Sequence, residues 1–439
     1  MQPEVDGLPP TRGDSTRPPR LRVVLDARVV DGGSGGVQQW IIGLASSLSK
    51  LESNGDEYLF LVHPGEGGWL EPYLSGPCRT VMSVDRRHRW LSGQSTGGRW
   101  VRRVPPARRA WHWLRETRRA GDETLPVSDG TVERLRADVV HFTFQKAFLT
   151  HVPSLYQPWD LQHVHLPEFF SVADRRRRDL TYRAFCEQAA TVVVATRWVK
   201  RDLMDHYGIA EDRIAVVNVP PVTIAYRSLS RDDVAAMRRR LSLPERFILY
   251  PAQTWPHKNH LRLVEALGGL RADGLRVPLV CSGRQTDHSA EIVRASRRAG
   301  IAADVHFLGF VTPEEVQGLY ESARALVFPS LYEGWGLPIV EAFRAGLPVA
   351  CSSATSLPEL VAGAAVVFDP YDVREVASAI RRVWTDDALV RDLARRGRER
   401  AARFDWQLTA RTLRAHYRQT AGRELGEEDR ALISREPLV

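Results

Sequence analysis

Short, almost wholly apolar runs recur along the chain, separated by stretches whose apolar residues have helical spacing. In the first half they are Leu21 to Leu25, Tyr58 to Val62, Thr80 to Val84, Val139 to Phe144, Thr191 to Ala195 and Ile214 to Val217. Runs without polar alternation suit strands buried on both faces, and the intervening helices supply the cover, so the pattern predicts a parallel sheet. Pro220, Pro221 and a charged, alanine-rich helix up to Arg240 interrupt the series, which resumes at Phe247 to Tyr250, Pro278 to Ser282, Val305 to Leu308, Ala323 to Phe328, Pro348 to Cys351 and Ala365 to Phe368. The predicted organisation is a flexible tail (1–20), a Rossmann-like domain (21–221), a linker (222–243), a second Rossmann-like domain (244–405) and a C-terminal helical segment (406–439). Two α/β domains of like architecture imply a ligand cleft between them.

The stretch from Phe328 to Ala350, FPSLYEGWGLPIVEAFRAGLPVA, reads as strand, loop and helix, with Pro338 at the helix start and Gly346 and Pro348 at its stop. Free N–H groups at that start, with those of Gly334, Trp335 and Gly336, suit a phosphate or sugar oxygens. Glu333 in the loop and Glu341, expected in the first helical turn, are carboxylates able to accept hydrogen bonds from ligand hydroxyls. An ordinary βα unit with a helix-dipole glutamate fits that spacing equally well. After the first strand, DGGSGG (31–36) precedes a helical pattern from Val37 to Leu48, a glycine loop that lets backbone approach a ligand. YPAQTWPHKNH (250–260) follows the first strand of the second domain, where Lys258 is the natural phosphate partner, although a lone loop lysine is usually just solvated. WDLQHVHLPEFF (159–170) reads as a polar cleft loop; zinc would need a third fixed ligand that nothing there specifies, so no metal site is assigned.

The segment with Glu333, Gly334, Gly336, Leu337, Pro338 and Glu341 resembles the E-x7-E signature of the retaining glycosyltransferases of family 4, which have the GT-B fold; Trp335 stands where phenylalanine is more usual. The resemblance covers roughly residues 21 to 420 and implies a GT-B architecture, α/β, with two Rossmann-like domains facing a central cleft. It implies that Glu333 contacts the transferred sugar, that Glu341 contacts the nucleotide ribose, and that the backbone of Gly334, Trp335, Gly336 and Leu337 lies along the sugar and diphosphate. Gly35 and Gly36 match its glycine loop. The 250–260 segment is similar to its donor loop, where an arginine and a lysine hold the diphosphate; Lys258 matches the lysine and Gln253 replaces the arginine, so Arg284 is offered as a substitute charge. Gly309 and Val311 match the loop that seats the base, and Trp406 and Tyr417 a helix that returns to the first domain. The 159–170 segment resembles a bacterial mannosyltransferase-like subfamily with HDLQH-x-H-x-PEFF, but Trp159 stands in place of its sugar-contacting histidine. That role is moved to His163, with Asp160 kept as an orienting or sugar-binding group and His165 as structural.

The 439-residue chain is 43% hydrophobic and 26% charged, as a soluble globular protein is. Without a run of eighteen apolar residues, and with a polar, proline-rich first twenty, it is expected to be cytoplasmic. Cys78, Cys186, Cys281 and Cys351 are scattered and read as buried thiols. A basic insert (86–135) carries the unusual stretch from Arg86 to Arg119, in which eleven arginines interleave with Trp90, Trp100, Trp111 and Trp113. An anionic membrane surface, a nucleic acid and a merely solvated loop all fit it, and the net charge of +8 does not choose among them. No cofactor is expected, and no D-x-D pair suits a catalytic metal. The implied reaction moves a sugar, with GDP-mannose the lean, from a nucleoside diphosphate sugar to a saccharide or lipid-linked saccharide, with peripheral attachment to the inner membrane surface left open. The rival functions are nucleic-acid binding through the arginines and hydrolysis or epimerisation of a sugar nucleotide.

Overall fold

The computed structural model describes residues 21–32, 35–52, 55–83, 125–222 and 229–439. The stretch from Arg86 to Arg119 and the tail 1–20 lie outside these residues. The first domain is a parallel sheet of β1 Arg22–Asp26, β2 Glu57–Val62, β3 Cys78–Met82, β4 Val139–Phe142, β5 Ser154–Tyr156, β6 Thr191–Val194 and β7 Ile214–Val216, in the order β3-β2-β1-β4-β5-β6-β7. The second contains β8 Ile248–Pro251, β9 Leu279–Ser282, β10 Val305–Gly309, β11 Ala325–Phe328, β12 Val349–Ser352 and β13 Val366–Phe368, in the order β10-β9-β8-β11-β12-β13. In each sheet the order reverses at one point, between β1 and β4 and between β8 and β11. Ligands of open parallel sheets bind outside the strand ends at such points, because the flanking loops diverge there to opposite faces.

Two strands differ from expectation. β3 starts at Cys78 rather than Thr80, drawn into register with β2 by the pairing of Tyr58 with Cys78. β5 was not predicted, since three residues just after Pro153 are too few to show a period.

The helix Trp406–Thr420 crosses back to the first domain. The Trp406 ring lies so close to Gly43 that an added Cβ there would stand 2.0 Å from it, and its indole N–H donates to the Pro221 carbonyl at 3.0 Å. Tyr417 Oη is 2.8 Å from Nδ1 of the fully buried His141, whose pKa burial pushes down to about 3. At the outer end of this contact Arg418 pairs with Asp56 and Asp429, and Arg423 with Asp138. The C-terminal helix is therefore packed onto the first domain along its length. All four cysteines are buried and free, and burial raises their thiols, Cys351 to about 12. No helix of the described residues is long and apolar enough to cross a membrane.

Candidate active site

The loops after β8 and β11 meet at the switch point of the second sheet. Asn259 adopts a left-handed conformation (φ 61) and its side-chain Nδ2 donates to the carbonyls of Pro329 at 3.0 Å and Pro370 at 2.8 Å. Leu331 N donates to the His257 carbonyl, and the Tyr250 hydroxyl donates to the Lys258 carbonyl at 2.7 Å. Laced this way, the loops bring Lys258 Nζ to 2.5 Å from Glu333 Oε1, with the two side chains 18% and 13% exposed. A pair so little exposed is only partly screened, and each charge remains available to a ligand that offers an anion and hydroxyls together. Glu333 is also pinned through its backbone: its N–H donates to Thr355 Oγ1, and its carbonyl accepts from Thr355 Oγ1 and Ser356 Oγ, both at 2.8 Å. The sequence reading missed Thr355 and Ser356; their one signal was a Ser/Thr cluster after β12.

Beyond Glu333 the chain turns past the first domain at contact distance. A Cβ added to Gly334 would stand 2.4 Å from the Trp159 carbonyl oxygen and 3.1 Å from Asp160 Cβ. Gly336 (φ 108) caps the start of the helix Leu337–Ala345, whose first turn follows directly on this loop. The Trp335 ring, to which the motif gave no role, is 4% exposed and packs edge-on against Phe404 at 5.5 Å. Glu341 is a correction. With the helix starting at Leu337 it lies past the first turn, 8% exposed, with Oε2 accepting from the Tyr320 hydroxyl at 2.8 Å.

The glycine loop closes the opposite wall. A Cβ on Gly35 would lie 4.0 Å from Gln253 Nε2, and one on Gly36 would lie 3.8 Å from Leu337 Cδ2. Gln253 Oε1 accepts from Trp255 Nε1 at 2.8 Å, which leaves the amide NH2 directed at Gly35. Arg284 is exposed, with its carbonyl accepting from Thr254 N, while the Gly309 carbonyl accepts from Gly283 N at 2.7 Å and Val311 is buried beside that turn. Asp160 joins the group electrostatically: burial raises its pKa and the Glu333 carboxylate adds to that, while Arg178 and Lys258 oppose it.

His163 does not join them. Its ring is 3% exposed, packed on Tyr182 at 5.1 Å with Nε2 3.2 Å from the Tyr207 hydroxyl, and burial pushes its pKa down to about 4. The substitution at 159 does not pass its role along the loop, because the short helix Gln162–His165 turns His163 into the first-domain core. Trp159 itself (φ 70) directs its indole N–H to the Thr143 carbonyl at 3.1 Å and its ring to Trp40. His165 holds Asp202 at 2.6 Å, and Asp202 accepts from Tyr332, the residue before Glu333.

Residues 235–400 match the family of glycosyl transferases group 1. The chain is 31% identical over 230 residues to the serotype-specific mannosyltransferase WbdA of Escherichia coli, a match covering 51% of this chain and 28% of that protein, so it spans little more than a quarter of that relative. It is 28% identical over 287 residues to O-antigen chain mannosyltransferase B of Escherichia coli, covering 62% of this chain and 74% of the relative. Among solved structures, Anabaena Alr3699/HepE in complex with UDP and glucose superposes with a TM-score of 0.66 at 17% identity, over 91% of this chain and 100% of that one.

Proposed function

We propose that this chain, a GT-B protein whose second domain belongs to the glycosyl transferases group 1 and which is similar to bacterial mannosyltransferases, moves a sugar from a nucleoside diphosphate sugar to a saccharide acceptor with retention of anomeric configuration. The observation that carries the reading is the Lys258 and Glu333 pair at a sheet switch point, opposite the glycine loop. A donor entering the cleft exchanges that pair for its own groups: the ammonium takes diphosphate oxygens and the carboxylate takes sugar hydroxyls. N–H groups of Gly334, Trp335, Gly336 and the helix start share the diphosphate charge, as does the Gln253 amide, with Arg284 the further cation. These groups act on charge that grows as the phosphate leaves, which is where fixed donors lower a barrier. The acceptor attacks on the face the phosphate vacates, and that phosphate takes the acceptor proton; Glu333 orients the sugar and supports its positive charge.

Donor identity is tested by thermal shift with a panel of sugar nucleotides, because a ligand that binds only the folded state raises its apparent stability. GDP-mannose is expected to raise the midpoint most, by analogy with the relatives named above. A larger rise with a uridine donor, or free sugar as the only product, replaces this reading.

Glu341 is read as the ribose partner, held for that purpose by Tyr320. Replacing it by Ala is expected to weaken the free nucleoside diphosphate by about 1.5–3 kcal/mol, the usual worth of a hydrogen bond to a charged group. Calorimetry that finds the affinity unchanged removes Glu341 from the ribose.

For the acceptor we read a lipid-linked saccharide at the inner membrane surface, reached through the arginines and tryptophans of 86–119. Co-sedimentation with anionic vesicles is expected, falling as salt rises and lost when those arginines become glutamine. Equal pelleting with neutral vesicles counts against it.

A further inference from the structure

The span WDLQHVHLPEFF offers no third ligand by sequence, yet the fold supplies two ligands from another element. His165 ends the short helix Gln162–His165, and the helix Arg197–Tyr207 presents Asp202 and His206 beside it. His165 Nε2 lies 2.6 Å from Asp202 Oδ1 and His206 Nδ1 lies 3.0 Å from the same oxygen, with the donor atoms of all three within 4.8 Å of one another. We propose that these residues form a site for one divalent transition metal of the zinc class, separate from the donor-binding groups.

The geometry suits such an ion. Bonds of about 2.0–2.2 Å to nitrogen and oxygen put neighbouring ligands of a tetrahedral zinc roughly 3.3 Å apart, so the present contacts need only small adjustments to admit one. Asp202 and His206 are four apart on one helix and share a face. Two imidazoles and one carboxylate are a donor set for zinc, cobalt or nickel rather than for magnesium or calcium, which prefer oxygen alone. The carboxylate side chain is 3% exposed while the imidazoles are 30% and 38% exposed, leaving the outward side to solvent water as the fourth ligand.

Supporting contacts are already made. Asp202 Oδ2 accepts from the Tyr332 hydroxyl at 3.2 Å, and the His165 ring is held by Tyr332 at 5.2 Å and Trp198 at 5.5 Å. Groups behind the ligands fix their orientation and basicity, and metal sites lose affinity without them. Loading the site costs no net proton when both imidazoles are neutral: the proton on each coordinating nitrogen moves to the other ring nitrogen as the metal takes the lone pair.

The site also bridges the domain seam. Tyr332 comes from the second domain and its hydroxyl accepts from Leu161 N of the first, so the ion and its carboxylate stand directly behind the loop that carries Glu333. A bound ion therefore sits at the domain seam without touching the diphosphate.

The test is titration of metal-stripped, full-length protein with cobalt(II), followed by zinc. One equivalent of cobalt is expected to develop the visible absorption of a four- or five-coordinate ion, which zinc then bleaches, and zinc is expected to raise the thermal midpoint. Asp202→Asn and His206→Ala should each lose the absorption and the shift. His206 is an exposed residue, so that variant keeps its fold, as circular dichroism checks. Absence of the absorption in the wild type at saturating cobalt, or its persistence in His206→Ala, overturns the site. Neither readout depends on the transfer reaction, so failure here leaves the glycosyltransferase reading standing and failure there leaves this one.

Discussion

Lys258→Ala is expected to lower the transfer rate about a hundredfold, equivalent to roughly 3 kcal/mol in the barrier, the usual cost of removing one preorganised charge stabiliser. The substitution removes the ammonium that stands 2.5 Å from Glu333 and leaves that carboxylate, 13% exposed, without its counter-charge. Folding should suffer less than catalysis, because the Asn259 and Tyr250 contacts that shape the loop engage backbone carbonyls and survive the change. The measurement is steady-state kinetics beside urea unfolding. EDTA, applied well below the unfolding midpoint, is expected to leave wild-type turnover unchanged, since the cation at the diphosphate is then a side chain. Near-wild-type turnover in Lys258→Ala, or turnover restored only by added metal after chelation, would refute the assignment.

Gly334→Ala is expected to cost about as much through position alone. Its methyl group would meet the Trp159 carbonyl at 2.4 Å, and that carbonyl has little room to retreat, because Trp159 is anchored through its indole to Thr143 and its ring to Trp40. The Glu333 loop must therefore shift away from the first domain. A displacement near 1 Å of a positioning loop costs on the order of a hundredfold in rate, and overpacking a tight contact costs about 1–3 kcal/mol of stability. Gly269→Ala is the control: it lies in the helix His260–Ala272 with nothing within 4 Å of an added Cβ, so activity should hold and stability should not fall. If Gly334→Ala turns over like the wild type, the contact between the two loops is no part of the active arrangement.

What the sequence determined by itself is local. Uninterrupted apolar runs such as Val192 to Ala195 and Ala325 to Phe328 mark buried parallel strands because no position in them tolerates water, and the glycine and proline that bound Leu337–Ala345 end a helix through their own backbone limits. The E-x7-E spacing and the glycine loop were legible for the same reason, since the chemistry is contained in one short stretch. Strand β5 was not, its three residues being held by their neighbours on either side rather than by any pattern of their own.

Only the tertiary structure decided which distant groups meet. Lys258 and Glu333 are 75 residues apart, Trp159 and Gly334 meet across the domain seam, and His165 finds Asp202 and His206 on another helix. It also decided which way side chains point: His163 and the Trp335 ring turned into cores that the sequence could not foresee. The physical reason is that backbone preference and hydrophobic period act over a few residues, whereas these contacts are set by how two sheets and a returning helix share one packed interior. There a choice between facing a cleft and facing a core depends on the volume its neighbours leave.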